Sequence, residues 1–316
     1  MKTGKNKILV AIDFEEQSLN ALEHSFELAR LFDADLVLLY VIEVSSVFGK
    51  LRSPEDYVKK IIQEAREKFD ELEKLAHPVD SKSAIKTSVI IEKGKPYDKI
   101  IETAIDQDVI MIVMGKNSVS SLTRRNKYIG SNTMNVVREA ECPVITIKEG
   151  TKIPGKFTRI LLPLDFTRQT KKQVQKAIEI GGYFGARIYV LSIVTSDNKV
   201  AKLLKQVQLN QVKNAIQRNG LSCHTESLFA KDETVSKMVI SYSRKIDADL
   251  IIIMTQQKKS FVNYYVGSNA QEIIFNSTIP VLSIIPTAEF KPGVVTSMVD
   301  PLGLIRKKID EDPADD

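Results

Sequence analysis

Cysteine is nearly absent. The 316 residues hold two, Cys142 and Cys223, which excludes a disulfide framework and a cysteine-only zinc site. Histidine is as scarce: His24, His77 and His224 stand at no ligand spacing, so zinc chemistry is not encoded locally. No apolar run approaches the roughly 18–20 residues that a membrane helix requires. Met1 to Lys7 is polar, and the apolar stretch after it stops at Asp13, too soon for a secretory signal. The expected address is the cytoplasm, with no membrane partner. Charge of one sign is also in short supply. The net charge is +5, and the last eleven residues hold three basic and five acidic groups. That excess is compatible with an anionic ligand but makes no case for nucleic acid. Neither a recognition-helix pattern nor a basic stripe interleaved with aromatics accompanies it.

What the chain does contain is a duplication. Lys7-Ile-Leu-Val-Ala-Ile-Asp13-Phe14 matches Arg159-Ile-Leu-Leu-Pro-Leu-Asp165-Phe166. Ile110–Met114 aligns with Leu250–Met254, and Gly130-Ser131-Asn132 with Gly267-Ser268-Asn269. Cys142-Pro-Val-Ile-Thr-Ile147 aligns with Ile279-Pro-Val-Leu-Ser-Ile284. A period of this length signals duplicated domains rather than a solenoid. The reading divides the chain into residues 1–149, residues 157–286 and a C-terminal tail, 287–316. Gly150, Pro154 and Gly155 interrupt the pattern between the two units.

Each unit alternates strand and helix. In the first, Ile8–Ile12, Leu36–Ile42, Ile85–Ile91, Val109–Met114 and Val144–Ile147 read as buried strands. Leu19, Leu22, Phe26 and Ala29 fall at helical spacing. Ser53-Pro54 opens a long helix with an apolar stripe from Val58 to Leu75. Its counterpart carries Val200, Leu203, Leu204, Val207, Val212 and Ile216, and stops at Gly220. The expected class is α/β: tandem doubly wound parallel-sheet domains with right-handed crossovers.

In such sheets ligands bind beyond the carboxyl ends of the strands. Three segments fit that rule. Asp13 and Asp165 close apolar strands; each reads either as an acceptor for ribose or base, or as a helix N-cap. Gly130-Ser131-Asn132-Thr133 and Gly267-Ser268-Asn269 open helices. Their first-turn N–H groups favour an anion, or they form a plain turn. Between strand four and that helix, Lys116, Arg124, Arg125, Lys127, Lys258 and Lys259 read either as a screen for polyphosphate or as a solvated loop.

These features together resemble the universal stress protein family: the strand ending in Asp, the strand running into Met114-Gly115, Gly94-Lys95-Pro96, the Gly130-Ser131 helix start and the Pro-Val-x-x-Ile strand. The resemblance implies a five-stranded sheet in the order 3-2-1-4-5 and a pairing of units through their last strands, here within one chain as a pseudo-dimer, with a homodimer as a further expectation. It also implies a site for ATP or a related adenine nucleotide, with Mg2+. Adenine would lie near Ala11, Asp13 and Val41. Met114, Gly115 and Lys116 would flank ribose and phosphates, and Gly130, Ser131, Asn132 and Thr133 would cradle the phosphates. In the second unit Pro163, Asp165, Ile193, Gly267, Ser268 and Asn269 take those places. The family's ATP-binding pattern is a glycine, two residues, a second glycine, nine residues, then Gly-Ser. In the first unit Ser118 replaces the second glycine and the gap is two residues too long. In the second, Thr255 and Lys258 replace both glycines and the gap is one short. The first unit is therefore the expected nucleotide site and the second a degenerate one.

The functional expectation is a regulatory protein that binds an adenine nucleotide in its first half. The alternative is a scaffold of the same fold that has lost its ligand and grips a protein partner. An enzyme, such as a slow ATPase, has less to stand on. There is no Gly-x-x-x-x-Gly-Lys-Ser/Thr loop and no catalytic residue visible as a paired nucleophile and base.

Overall fold

The apolar runs that close on a carboxylate become the middle strand of each half of a single sheet. The structure, a computed structural model, describes residues 5–43, 54–76, 85–116, 131–148, 150–151, 153–166, 170–195, 197–231, 233–255, 257–258 and 264–285. The first half runs β1 (Asn6–Ile12), α1 (Glu16–Phe32), β2 (Ala34–Glu43), α2 (Pro54–Ala76), β3 (Thr87–Gly94), α3 (Pro96–Asp106), β4 (Met111–Gly115), α4 (Ser131–Glu139) and β5 (Val144–Ile147). The second runs β6 (Arg159–Leu164), α5 (Thr170–Phe184), β7 (Arg187–Val194), α6 (Lys199–Arg218), β8 (Cys223–Phe229), α7 (Val235–Lys245), β9 (Leu250–Met254), α8 (Ser268–Asn276) and β12 (Val281–Ile284). Between β9 and α8 a two-residue ribbon, β10 (Gln257–Lys258) with β11 (Tyr264–Tyr265), occupies a stretch that the sequence reads as loop. The Ser53 cap, the loop cations Arg124, Arg125, Lys127 and Lys259, and the tail 287–316 lie outside the described residues.

The strand order is β3-β2-β1-β4-β5-β12-β9-β6-β7-β8. Each half has the order 3-2-1-4-5, and the two meet at β5 and β12. Within this sheet all pairings inside each half are parallel. The junction is antiparallel, with Ile145 opposite Leu282. The halves therefore form one ten-stranded sheet rather than two separate ones. Backbone hydrogen bonds left unmade at the edge of one half are satisfied by the other.

Both faces of the sheet are covered, which explains why the strands are apolar throughout rather than alternating. Ile8 and Val10 pack into one layer, under α1 and α5, while Leu9 packs into the other, with α3, α4, α7 and α8. The first layer is continuous across the halves. Phe32 at the end of α1 stacks on Tyr183 with centroids 5.7 Å apart and meets Phe184 edge-on at 5.2 Å. Phe184 in turn meets Phe157 at 5.1 Å.

Only part of the expected α6 stripe is core. Leu209, Val212 and Ile216 are buried, but Val200, Leu203, Leu204 and Val207 are exposed. Helical spacing identified an apolar face; it carried no information on whether a neighbour lay against its first two turns.

Candidate functional site

β1 delivers Asp13 to the carboxyl edge of the sheet, where the chain turns sharply into α1. Phe14 adopts a positive φ of 62°, and Phe166, at the same place in the second half, one of 57°. Asp13 Oδ1 accepts from the Glu15 amide (3.0 Å), the Asp13 amide donates to Ser18 Oγ (3.2 Å), and Ser18 Oγ donates to the Glu15 carbonyl (2.9 Å). The helix N-cap is Glu15, without a side-chain cap bond. Asp13 thus braces the turn ahead of the helix and is not itself the N-cap. The strained turn is held down by Phe14, whose ring lies 5.0 Å from those of both Tyr40 and Phe69. Lys68 Nζ sits 4.8 Å above it.

A cavity of about 540 Å³ opens between the ends of β1, β2 and β4 and the first turns of α3 and α4. It brings together Ala11, Asp13, Val41, Met114, Gly115, Ser131, Asn132 and Thr133. Gly130 lies outside the described residues. Ile12, Ser18, Leu39, Tyr40, Glu43, Pro96 and Ile100 complete the lining. Of these, Pro96 carried a signal, the Gly-Lys-Pro before a helix, and Leu39 follows from Val41 by the two-residue repeat of a strand. Glu43 had none.

Lys116 does not face this cavity. Its backbone amide donates to Ile147, extending the ladder along β5, and its side chain is buried, with Nζ donating to the carbonyl of Ser277 at 2.9 Å. It belongs to the junction with the second half. Burial, with the charge of Lys148 adding to it, pushes its pKa down to about 7.

Gly115 is required by packing. A Cβ there would lie 2.3 Å from the carbonyl oxygen of Gln17 and 2.6 Å from its carbon. The first turn of α1 rests on the bare backbone of β4, and Thr133 Oγ1 donates to the Gly115 carbonyl at 3.3 Å, tying α4 to the same point. Gly267, by contrast, has open space around it and an ordinary φ of −60°.

Strand register corrects the alignment of the halves by one residue. Ile8 pairs with Met111 and Ile160 with Leu250. Gly115 pairs with Ile147 and Met254 with Ile284. Gly115 therefore corresponds to Met254, not Thr255. Counted from Met254, the spacing to Gly267 fits the nucleotide-binding pattern without a missing residue. What departs is the residue type: Met254 and Gln257 stand where the pattern has glycines.

In the second half Gln173 Nε2 donates to the Pro163 carbonyl (3.0 Å), and Lys205 Nζ reaches the Asp165 carbonyl (3.0 Å) while lying 4.9 Å over the Phe166 ring. Ile193 is half-buried against the layer of α7 and α8. Gly267 is the N-cap of α8 with no side-chain cap bond, and Ser268 and Asn269 are exposed on its first turn. Elsewhere, Cys142 packs beside the α3 and α4 layer, and burial pushes its thiol up to about 12. Among the described residues, no group of three or more His, Cys, Asp or Glu could hold a metal ion, and no helix is long and apolar enough to cross a membrane.

Comparison with known proteins points one way. The model of the universal stress protein family matches residues 5–148 and, a second time, residues 156–284. Universal stress protein MJ0531 of Methanocaldococcus jannaschii is 27% identical over 157 residues, 48% of this chain and 89% of the relative. Universal stress protein YxiE of Bacillus subtilis is 28% identical over 148 residues, 45% of this chain and 99% of the relative. Each is the size of one half. A universal stress protein from Archaeoglobus fulgidus, known from its crystal structure, matches both halves together. It covers 89% of this chain and 98% of its own at 21% identity, with a TM-score of 0.69.

Proposed function

Because the chain belongs to the universal stress protein family, we propose that it is a regulatory protein whose first half binds an adenine nucleotide, ATP above all. The observation that carries this reading is the cavity at the carboxyl edge. Its volume of about 540 Å³ falls within the roughly 300–1,000 Å³ of small-molecule sites. One wall is apolar, with Ala11, Leu39, Val41 and Ile100, and suits a flat base. Asp13 stands where a ribose hydroxyl or base amino group would donate. Opposite, the first-turn amides of α4, with Ser131 and Asn132, favour phosphate. Mg2+ entering with the phosphates needs one or two carboxylates rather than a full protein cage, and Asp13 and Glu43 line the space.

Binding would be felt at the junction. Gly115 lines the cavity, and its neighbour Lys116 is bonded to Ser277 of the second half. A nucleotide that favours one setting of this strand end shifts the population of the pairing without any chemical step. In the second half Met254 takes the glycine's place and Lys205 lies over Phe166, which supports a degenerate site there. Family members have been solved in complex with dAMP and with cAMP; those are properties of those proteins, and the case for this chain rests on its own crevice.

The test is direct. Denaturing the purified protein should release adenine nucleotide, or ATP should raise the melting temperature of the emptied protein. Val41→Trp, which fills the crevice from a half-exposed position, should abolish both effects. A protein that releases no nucleotide and shows no thermal response to ATP, ADP or AMP is a scaffold of this fold.

A further inference from the structure

The first turns of α6 form an apolar face that no described residue covers. Val200, Leu203, Leu204 and Val207 are 63%, 66%, 59% and 47% exposed, and Phe229 beside them is 41% exposed. Their spacing of three and four residues makes one continuous stripe. The corresponding region of the first half is closed differently: there Phe69 of α2 packs on Phe14, which packs in turn on Tyr40, and Val58 is buried. In the second half Lys205 lies over Phe166, which is partly buried. An apolar stripe this exposed on a globular surface marks an interaction site.

We propose that this stripe is the docking surface for the chain's own C-terminal segment, 286–316. Three observations select that occupant. The first is position. β12, β9, β6 and β7 are all parallel, so the chain leaves β12 at Ile284 on the same edge at which α6 begins, and Lys205 anchors α6 over the end of β6. β6 lies two strands from β12, about 10 Å along the sheet. The span from Ile285 to Leu302 reaches on the order of 50 Å when extended, so the distance is easily covered. The antiparallel junction puts the equivalent helix of the first half, α2, at the opposite edge.

The second observation is charge. α6 carries Lys199, Lys202, Lys205, Lys213 and Arg218 and no acidic residue. The segment 286–316 ends in Asp310-Glu311-Asp312 and Asp315-Asp316. The third is pattern: Leu302, Ile305 and Ile309 fall at helical spacing and match a stripe of the same period, leaving Lys307 and Lys308 off the contact face and Arg306 at its margin. The segment is thus an intramolecular cover of α6. Displacing it would expose an apolar, basic surface to another protein. This inference does not depend on nucleotide binding.

The chain has no tryptophan, so Ile305→Trp in the full chain supplies a single probe. Its emission should be blue-shifted at every protein concentration. Adding Leu203→Asp with Leu204→Asp should return it to the emission of water-exposed indole, with the melting temperature of the fold unchanged because both leucines lie outside the core. High salt should shift it partway in the same direction. Emission of exposed indole from the outset, or indifference to the two aspartates, overturns the proposal. So does a blue shift that grows with concentration alongside a dimer, which makes a second copy the occupant. A shift that appears only with anionic phospholipid vesicles assigns the stripe to a membrane surface instead.

Discussion

Lys116 Nζ lies 2.9 Å from the carbonyl oxygen of Ser277, joining the end of β4 to the turn between α8 and β12. It is a buried cation at the seam between the halves, with Lys148 adding repulsion. Its pKa falls from 10.5 in the unfolded chain to about 7 in the fold. Below pH 7 the group is charged in both states, so the cost of burying the charge is present in full. As pH rises from 7 towards 10.5 the fold sheds this proton while the unfolded chain keeps it, and stability increases. Lys116→Met should remove that increase. Urea denaturation at pH 6 and pH 9 should show the native chain gaining on the variant by on the order of a few kcal/mol. Parallel pH dependence in the two would show that the ammonium is solvated.

A side chain at position 115 has nowhere to go. Gly115→Ala would put Cβ 2.3 Å from the Gln17 carbonyl oxygen, a backbone atom that cannot rotate away. α1 must lift, at a cost of about 1–3 kcal/mol. Gly267→Ala meets open space at a φ of −60° and should change stability by less than about 0.5 kcal/mol. Denaturant midpoints of the two variants decide whether the first glycine serves packing; equal effects would deny it.

The junction itself rests on Ile145 and Leu282, directly opposed and both buried. Either residue replaced by Ala should cost about 2–5 kcal/mol. Because they share one cavity, the double variant should fall short of the sum by more than about 0.5 kcal/mol. Additivity in a double-mutant cycle would mean that the two halves fold as independent units joined by a loose seam.

These contrasts show where the sequence could be read and where it could not. The order of strands in the sheet came with the family resemblance, whereas the alternation of strand and helix was legible because it is written twice: Asp13 and Asp165 mark the same strand end, and Pro143-Val144 and Pro280-Val281 mark the same final strand. The register of the fourth strands was not, because Ile110–Met114 and Leu250–Met254 are apolar throughout and slide past one another without penalty. Asp108 and Asp247, with φ of 48° and 47°, are the landmarks that fix it, and both can be found in the sequence once the turn before the strand is aligned instead of the strand. Asp13 was placed at the crevice by the general rule for parallel sheets, and Ala11 and Val41 by the family resemblance. Lys116 was misplaced because its neighbour is Ser277, 161 positions away; no local pattern reports a contact made by the other half. The outer turns of α6 fail for the same reason. Periodicity defines a face, whereas burial depends on what lies against it.

The two Asp-Phe turns make a last comparison that only a duplicated chain allows. Phe14 and Phe166 hold nearly the same positive φ, which disfavours a side chain by roughly 1–2 kcal/mol. Glycine would relieve that strain at both positions. At Phe14, however, the ring lies against Tyr40, Phe69 and Lys68, and losing a packed phenylalanine costs about 3–5 kcal/mol. At Phe166 the ring is partly buried, and its aromatic face meets Lys205. Phe14→Gly should therefore destabilise the fold clearly more than Phe166→Gly, and it should also loosen the turn that carries Asp13, weakening any nucleotide response. Thermal denaturation of both variants tests the first point: a Phe166→Gly loss as large as that of Phe14→Gly would mean that α6 covers its turn as firmly as α2 covers the other.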